Sequence, residues 1–430
     1  MKEKFHKDRI QKAMSLLKKG EVLILFAAQN KIRNKDVEYK FRQDSDFYYL
    51  TGIEEPDAIL ILKNNYSAIF ALPKNKEKEI WTGIRLGKEK IKQFLQLTES
   101  FDLQDWGSQK ERLFTNEEKI FYFFGKDKER DNEILTLCDT LNKKLRDGNY
   151  GPEKIEFPSF LHEMRLIKSK EEIDCIRESI RITKLGHLEL MKKAKYGMIE
   201  FELEAILESE YIRQGAWGGG YGHIVASGKN ATILHYTKNN SVIQKNDLIL
   251  VDSGAEKNYY TADVTRVFPA GKKFTTPQKE IYSLVLIAQK EAISLVTKNR
   301  RFSEIHEKTV YALCEGLKDL NLLKGSISQI IETESYKKFF MHKTGHWLGL
   351  DVHDVGKYYI DGKSRRLEDG QVTTIEPGLY FDASDNSIPK HFRGIGIRIE
   401  DDILVNGKNP INLTKEIPKE IEEIEDLREV

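Results

Sequence analysis

The sequence predicts an α+β protein of two domains, residues 1–160 and 161–430. Three observations predict it. Residues 1 to about 150 alternate short apolar strands with charged helices. The stretch "GNYGPEKIEFPS" then supplies the Gly and Pro punctuation of a boundary. Beyond it a long helical pattern opens a region whose last part is again rich in strands.

In the first domain "EVLILFAA", "AILILK", "SAIFALP" and "KIFYFFG" read as strands. "KEKIKQFLQL" and "NEILTLCDTLNKKLRDG" read as helices, so the expectation is an α/β domain with a mixed or parallel sheet. The second domain begins with "SKEEIDCIRESIRITKLGHLELMKKAK", in which Ser169 and Glu172 form a capping box. Ile173, Ile176, Ile180 and Leu185 give that helix an apolar stripe. "NDLILVDSGAEKNYYTADVTRVF" reads as strand, turn, strand, with the turn around Glu256 to Asn258. Residues 276–320 return to helix, and no period of repeat length runs through the chain.

Composition narrows the partners. With 69 Lys+Arg against 68 Asp+Glu, no basic excess points to nucleic acid or an acidic membrane. "VLILFAA" is too short to cross a bilayer, and the charged N-terminus has no signal-peptide run. Three dispersed cysteines, Cys138, Cys175 and Cys314, make neither a disulfide framework nor a zinc spacing. The expectation is a cytoplasmic protein with no membrane partner.

The chemistry is announced by carboxylates in the wrong places. Asp252 ends the apolar run "LILVD" and Asp263 lies in "TADVTRVF"; strands disfavour Asp, and an unpaired buried carboxylate is costly. Glu376 follows an apolar run in "TTIEPGLYF", and Glu400 sits inside "GIGIRIEDDILV". Alternation there puts Ile395, Ile397 and Ile399 on one face and Gly396, Arg398 and Glu400 on the other. Gly396 would leave room for a ligand or another backbone. Four carboxylates balance two divalent ions and repel one another without them. One histidine from "MHKTGHWLGLDVHD", which holds His342, His346 and His353, completes a set of five donors. An oxygen-rich set with a single imidazole suits Mn²⁺, with Co²⁺, Zn²⁺ and Fe²⁺ open.

"DSG", "TADVTR", "HWLGLDVHDVG", "TIEPGLY" and "GIGIRIEDD", in this order, resemble the motifs of the pita-bread metallopeptidases, and within them of the aminopeptidase P family. "FRQDSDFYYLTGIEEPDA" and "GKNATILHYTKNN" resemble further segments of that family. The resemblance implies an N-terminal domain of the creatinase/aminopeptidase P type and a C-terminal pita-bread catalytic domain. It implies that Asp252, Asp263, His346, Glu376 and Glu400 are metal ligands, with Asp263 and Glu400 bridging. Lys343 follows His342, so His342 and His346 are no zinc-helix pair.

The resemblance further implies an aminopeptidase for peptides with proline at position two, acting by a hydroxide that bridges two metal ions. Glu376 would carry the proton, His235 and His353 would face the substrate, Tyr380 and Arg398 would line the proline region, and His342 would bind substrate or else orient a ligand. Arg398 could instead balance charge. Asp36 and Arg165 resemble a pair flanking the cleft. Trp81 resembles a tryptophan that reaches a neighbouring subunit, which implies a homo-oligomer, dimer or tetramer. The remaining histidines read as packing or surface residues. Competing readings are a prolidase limited to Xaa-Pro dipeptides, and a non-catalytic peptide-binding pseudo-peptidase.

Overall fold

The computed structural model describes residues 3–429 and divides the chain into two compact units, Met1–His162 and Glu163–Val430. No described helix is long and apolar enough to cross a membrane.

The first unit is built on a six-stranded mixed sheet. Its order is Glu99–Asp102, Tyr66–Ala71, Ile59–Lys63, Glu21–Phe26, Lys119–Phe121, Lys154–Glu156. The middle pairings are antiparallel and the outer ones parallel. Val22, Leu23, Ile24 and Leu25 are all buried, as a strand covered on both faces requires. The "FRQDSDF" stretch is a local staple. Gln43 is buried, accepts the Ala28 N–H and donates to the carbonyls of Ile53 and Glu55. Asp44 caps the helix Ser45–Thr51 by accepting from the N–H groups of Asp46 and Phe47. Trp81 is not a core residue. It lies on the short helix Lys76–Thr82, 88% exposed, beside the equally bare Ile80 and Ile84.

The second unit opens with the helix Lys170–Lys193, capped by the Ser169–Glu172 box as expected. Its buried face runs through Ile176, Ile180, Thr183, His187 and Leu190, while Ile173 and Leu185 are only half-buried. The helical stretch after residue 275 is two helices, Thr276–Ser294 and Phe302–Asp319.

The strands differ from the sequence expectation in one instructive way. The region around Asp252 and Asp263 is not one hairpin. Leu248–Asp252 pairs with Thr265–Pro269, whereas Ala255–Lys257 pairs with Tyr260–Thr261 in another sheet. "GIGIRIEDDILV" breaks likewise, into Gly396–Arg398 and Asp401–Leu404, which pair with Gly378–Tyr380 and Val372–Ile375. The breaks have local causes. A side chain at Gly254 would overlap the Ala262 carbonyl, and Pro377 has no N–H to give a ladder. Each broken hairpin changes sheet where its carboxylates stand.

Candidate metal centre

Asp252 ends its strand, while Asp263, Glu376 and Glu400 occupy the breaks themselves. There the backbone leaves its ladder and the side chains turn into one cavity of about 950 Å³. The breaks are stitched together: the Glu400 N–H donates to Thr265 O at 3.2 Å, and the Asp263 N–H to Asp402 Oδ2 at 3.2 Å. Arg398 and Glu400 face the same cavity, as alternation predicts, and the room at Gly396 is taken by the Ala231 backbone.

His346 reaches the cavity from the coil before the helix-free segment 347–358, and its neighbours choose its tautomer. Nδ1–H donates to Trp347 O at 3.0 Å, which turns Nε2 toward Asp263 Oδ2 at 3.4 Å and Glu376 Oε1 at 3.6 Å. Asp263, His346 and Glu400 bring donor atoms within 4.8 Å of one another, and Asp252 and Glu376 line the same cavity. All five expected donors are therefore together.

The electrostatics fit a cation. Burial pushes Asp263 and Glu400 above the usual carboxylate range, with the neighbouring carboxylates adding to it. Burial takes Glu376 up to about 7 although His346 and Arg398 oppose the rise. Burial disfavours charge on His346, yet Asp263 and Glu376 outweigh it and raise the ring to about 9. Such a cluster holds more negative charge than Arg398 and one imidazole neutralise, and oxygen donors around one imidazole are the chemistry of divalent metal sites.

Arg398 does what the charge-balancing alternative describes: its guanidinium donates to Asp252 Oδ2 at 2.6 Å, Thr265 Oγ1 at 3.1 Å and Tyr380 Oη at 3.1 Å. It also lines the cavity. Tyr380 stands one layer back, buried, and its O–H donates to His342 Nε2 at 2.9 Å. His342 Nδ1–H donates to Lys343 O at 2.7 Å. Burial, with Arg398 close by, lowers His342 to about 4 and keeps it neutral. His235 and His353 both line the cavity.

Arg165 is buried and paired with Asp351 and Asp354, and Asp36 is exposed on the hairpin Ile32–Glu38 of the first unit. Three residues were missed. The Tyr221 hydroxyl lies 2.5 Å from Asp263 Oδ1 and 2.7 Å from Asp252 Oδ1. His223 lies 2.8 Å from Ser253 Oγ and 3.0 Å from Glu208 Oε2, behind Asp252. His306 lines the cavity and lies 2.9 Å from Thr344 Oγ1. The only sequence signal for the first two was "GGGYGH", a glycine-rich stretch leading into a strand.

Carboxylates at paired strand breaks, closed by one imidazole, define a metal-dependent hydrolase site. The chain belongs to metallopeptidase family M24: residues 174–407 match the family model, and residues 6–130 match that of the aminopeptidase P N-terminal domain. It is 39% identical over 430 residues to a Haemophilus influenzae Xaa-Pro aminopeptidase, covering 99% of this chain and 97% of that one. To the Escherichia coli Xaa-Pro aminopeptidase it is 38% identical over 432 residues, with the same coverage. Among solved structures, the Pseudomonas aeruginosa aminopeptidase PepP superposes with a TM-score of 0.97 at 37% identity, over 100% of this chain and 98% of that one. Zinc-substituted E. coli aminopeptidase P in complex with product gives 0.95 at 37% identity, with the same coverage.

Proposed function

We propose that this chain is a metal-dependent aminopeptidase that releases the N-terminal residue from peptides with proline at position two. The observation that carries the reading is the convergence of all five donors on one cavity, in a chain similar to named Xaa-Pro aminopeptidases over 99% of its length. Asp252, Asp263, His346, Glu376 and Glu400 would hold two divalent ions. When bound, the ions supply a water of lowered pKa and polarise the scissile carbonyl. Glu376 takes the proton of the attacking water and delivers it to the leaving nitrogen. His235 and His353 face the oxygen that becomes negative. Arg398 and His342, aligned through Tyr380, form the wall for the proline ring and hold the carbonyl in line.

Four oxygen donors and one imidazole favour Mn²⁺ over a sulfur-seeking ion. No disulfide joins Cys138, Cys175 or Cys314, which suits the cytoplasm. The bare Ile80, Trp81 and Ile84 support a homo-oligomer. The test is a rate comparison among Xaa-Pro-Yaa, Xaa-Ala-Yaa, acetyl-Xaa-Pro-Yaa and Xaa-Pro. Cleavage of the first alone is expected. Preference for Xaa-Pro turns the reading to a prolidase, and equal rates on the alanine peptide leave a general aminopeptidase.

A further inference from the structure

His353 lines the cavity, yet no hydrogen bond of its own ring sets its aim. The ring packs 4.2 Å, centroid to centroid, from that of His346 and makes no hydrogen bond among the described residues. It sits on the coil that follows Trp347, with no regular secondary structure to hold it.

The next residue is held from every side. Asp354 Oδ1 accepts from the Arg165 guanidinium at 2.5 Å, and Oδ2 from Lys168 Nζ at 2.9 Å. Its backbone N–H donates to Trp347 O at 2.8 Å. All three charged side chains are 1% exposed. Arg165 also donates to Asp351 Oδ2 at 2.7 Å, so the coil is gripped on both sides of His353. The cations are themselves fixed. The Lys168 N–H donates to Gly370 O at 2.9 Å, and Ser169, the next residue, is locked into its capping box. The coil winds so closely that a side chain at Gly349 would overlap Asp354 Oδ2 and approach Lys168 Cε to 3.0 Å.

Burying three full charges is a poor way to gain stability, since desolvation cancels most of the attraction. What such a cluster supplies is a single geometry. We infer that Arg165, Lys168 and Asp354 are positioning residues that aim His353 into the cavity. The inference rests on the proposed role of His353 in facing the developing oxyanion.

Two variants disturb the cluster differently. Lys168→Met removes one cation and keeps the Arg165–Asp354 pair. Gly349→Ala removes no charge and displaces the carboxylate. Each is made alone and in a His353→Ala background, and kcat, KM, bound metal and Tm are measured on the metal-loaded enzyme. A crystal structure of Gly349→Ala reads the ring directly. The expected result is a kcat lower by about 10–100-fold, the scale of a misplaced catalytic group. KM and metal content stay within a factor of about two, the His353 ring is displaced, and neither change adds a loss once His353 is gone. An equal loss in the His353→Ala background would mean a general structural role and overturns the inference. So does normal kcat in both single variants while His353→Ala is impaired. If His353→Ala itself turns over normally, the role proposed for His353 falls first.

Discussion

The hydroxyl of Tyr221 lies 2.5 Å from Oδ1 of Asp263, closer than to any other carboxylate oxygen it meets. Burial, and the charge of Asp252, Asp263 and Glu400, push that hydroxyl far above its ordinary range, so it remains a donor at any working pH. It engages only Oδ1 of each carboxylate, and Oδ2 of Asp252 accepts from Arg398. Groups that orient metal-ligating carboxylates are worth about 10–100-fold in metal affinity or activity. Tyr221→Phe is therefore expected to weaken metal binding by a factor in that range, with the fold intact. A titration of apo protein with Mn²⁺ checks it, and unchanged affinity would remove Tyr221 from the site.

The carboxylate cluster makes a second prediction, about stability rather than rate. Glu400 is buried, and its charge is opposed by Asp263, Glu376 and Asp252. Thr265 donates to its Oε2 at 2.7 Å, a bond an amide oxygen can also accept. In chelator, Glu400→Gln should melt no lower than the unaltered protein, because one repulsive charge has gone. With Mn²⁺ added, only the unaltered protein should gain, by about 2.7 kcal/mol at 100 times its Kd. Thermal melts with and without metal decide it. An equal gain in the variant would take Glu400 out of the ligand set.

Those carboxylates were legible because Asp and Glu are out of place in apolar runs, and the single imidazole stood in a motif of fixed order. The helix at Ser169 was legible because its cap is local. What escaped was tertiary. Nothing in "NDLILVDSGAEKNYY" says that the strand must change sheet after Asp252. That follows from Gly254 meeting the Ala262 carbonyl. Tyr221 and His223 lie in a stretch without periodicity, so no pattern marks which face they take. The grip on Asp354 joins residues 165, 168 and 354, and no local pattern links the three. The bareness of Trp81 was legible only through the resemblance, since an aromatic in a short helix otherwise reads as core.

A third prediction concerns acid. His187 is fully buried, its Nε2–H donates to Ser253 O at 3.0 Å, and Nδ1 has no partner among the described residues. Burial lowers its pKa from 6.5 to about 4. The unfolded chain thus binds the proton first. This contribution is whole above pH 6.5 and is lost as pH falls toward 4, by about 3 kcal/mol at about 1.4 kcal/mol per pH unit. Gln can still donate to Ser253 O, so His187→Gln should flatten the acid limb of denaturant-unfolding stability, measured in chelator from pH 7 to 4. An unchanged slope would mean that the ring is not neutral in the fold.

The last prediction separates the histidines by what they hold. The His346 ring is committed on both sides, by Trp347 O and by two carboxylates, whereas the rings of His235 and His353 line the cavity with no hydrogen bond of their own among the described residues. A ligand and a substrate-facing group should fail differently. His346→Ala should lose bound metal together with activity. His235→Ala and His353→Ala should keep their metal and lose kcat by about 10²–10³-fold, the cost of one donor to a developing oxyanion. Metal content by atomic emission, measured beside single-turnover rates, draws the distinction. Metal lost from either of the latter variants would make that histidine a ligand. Metal retained by His346→Ala would leave the carboxylates as the whole site.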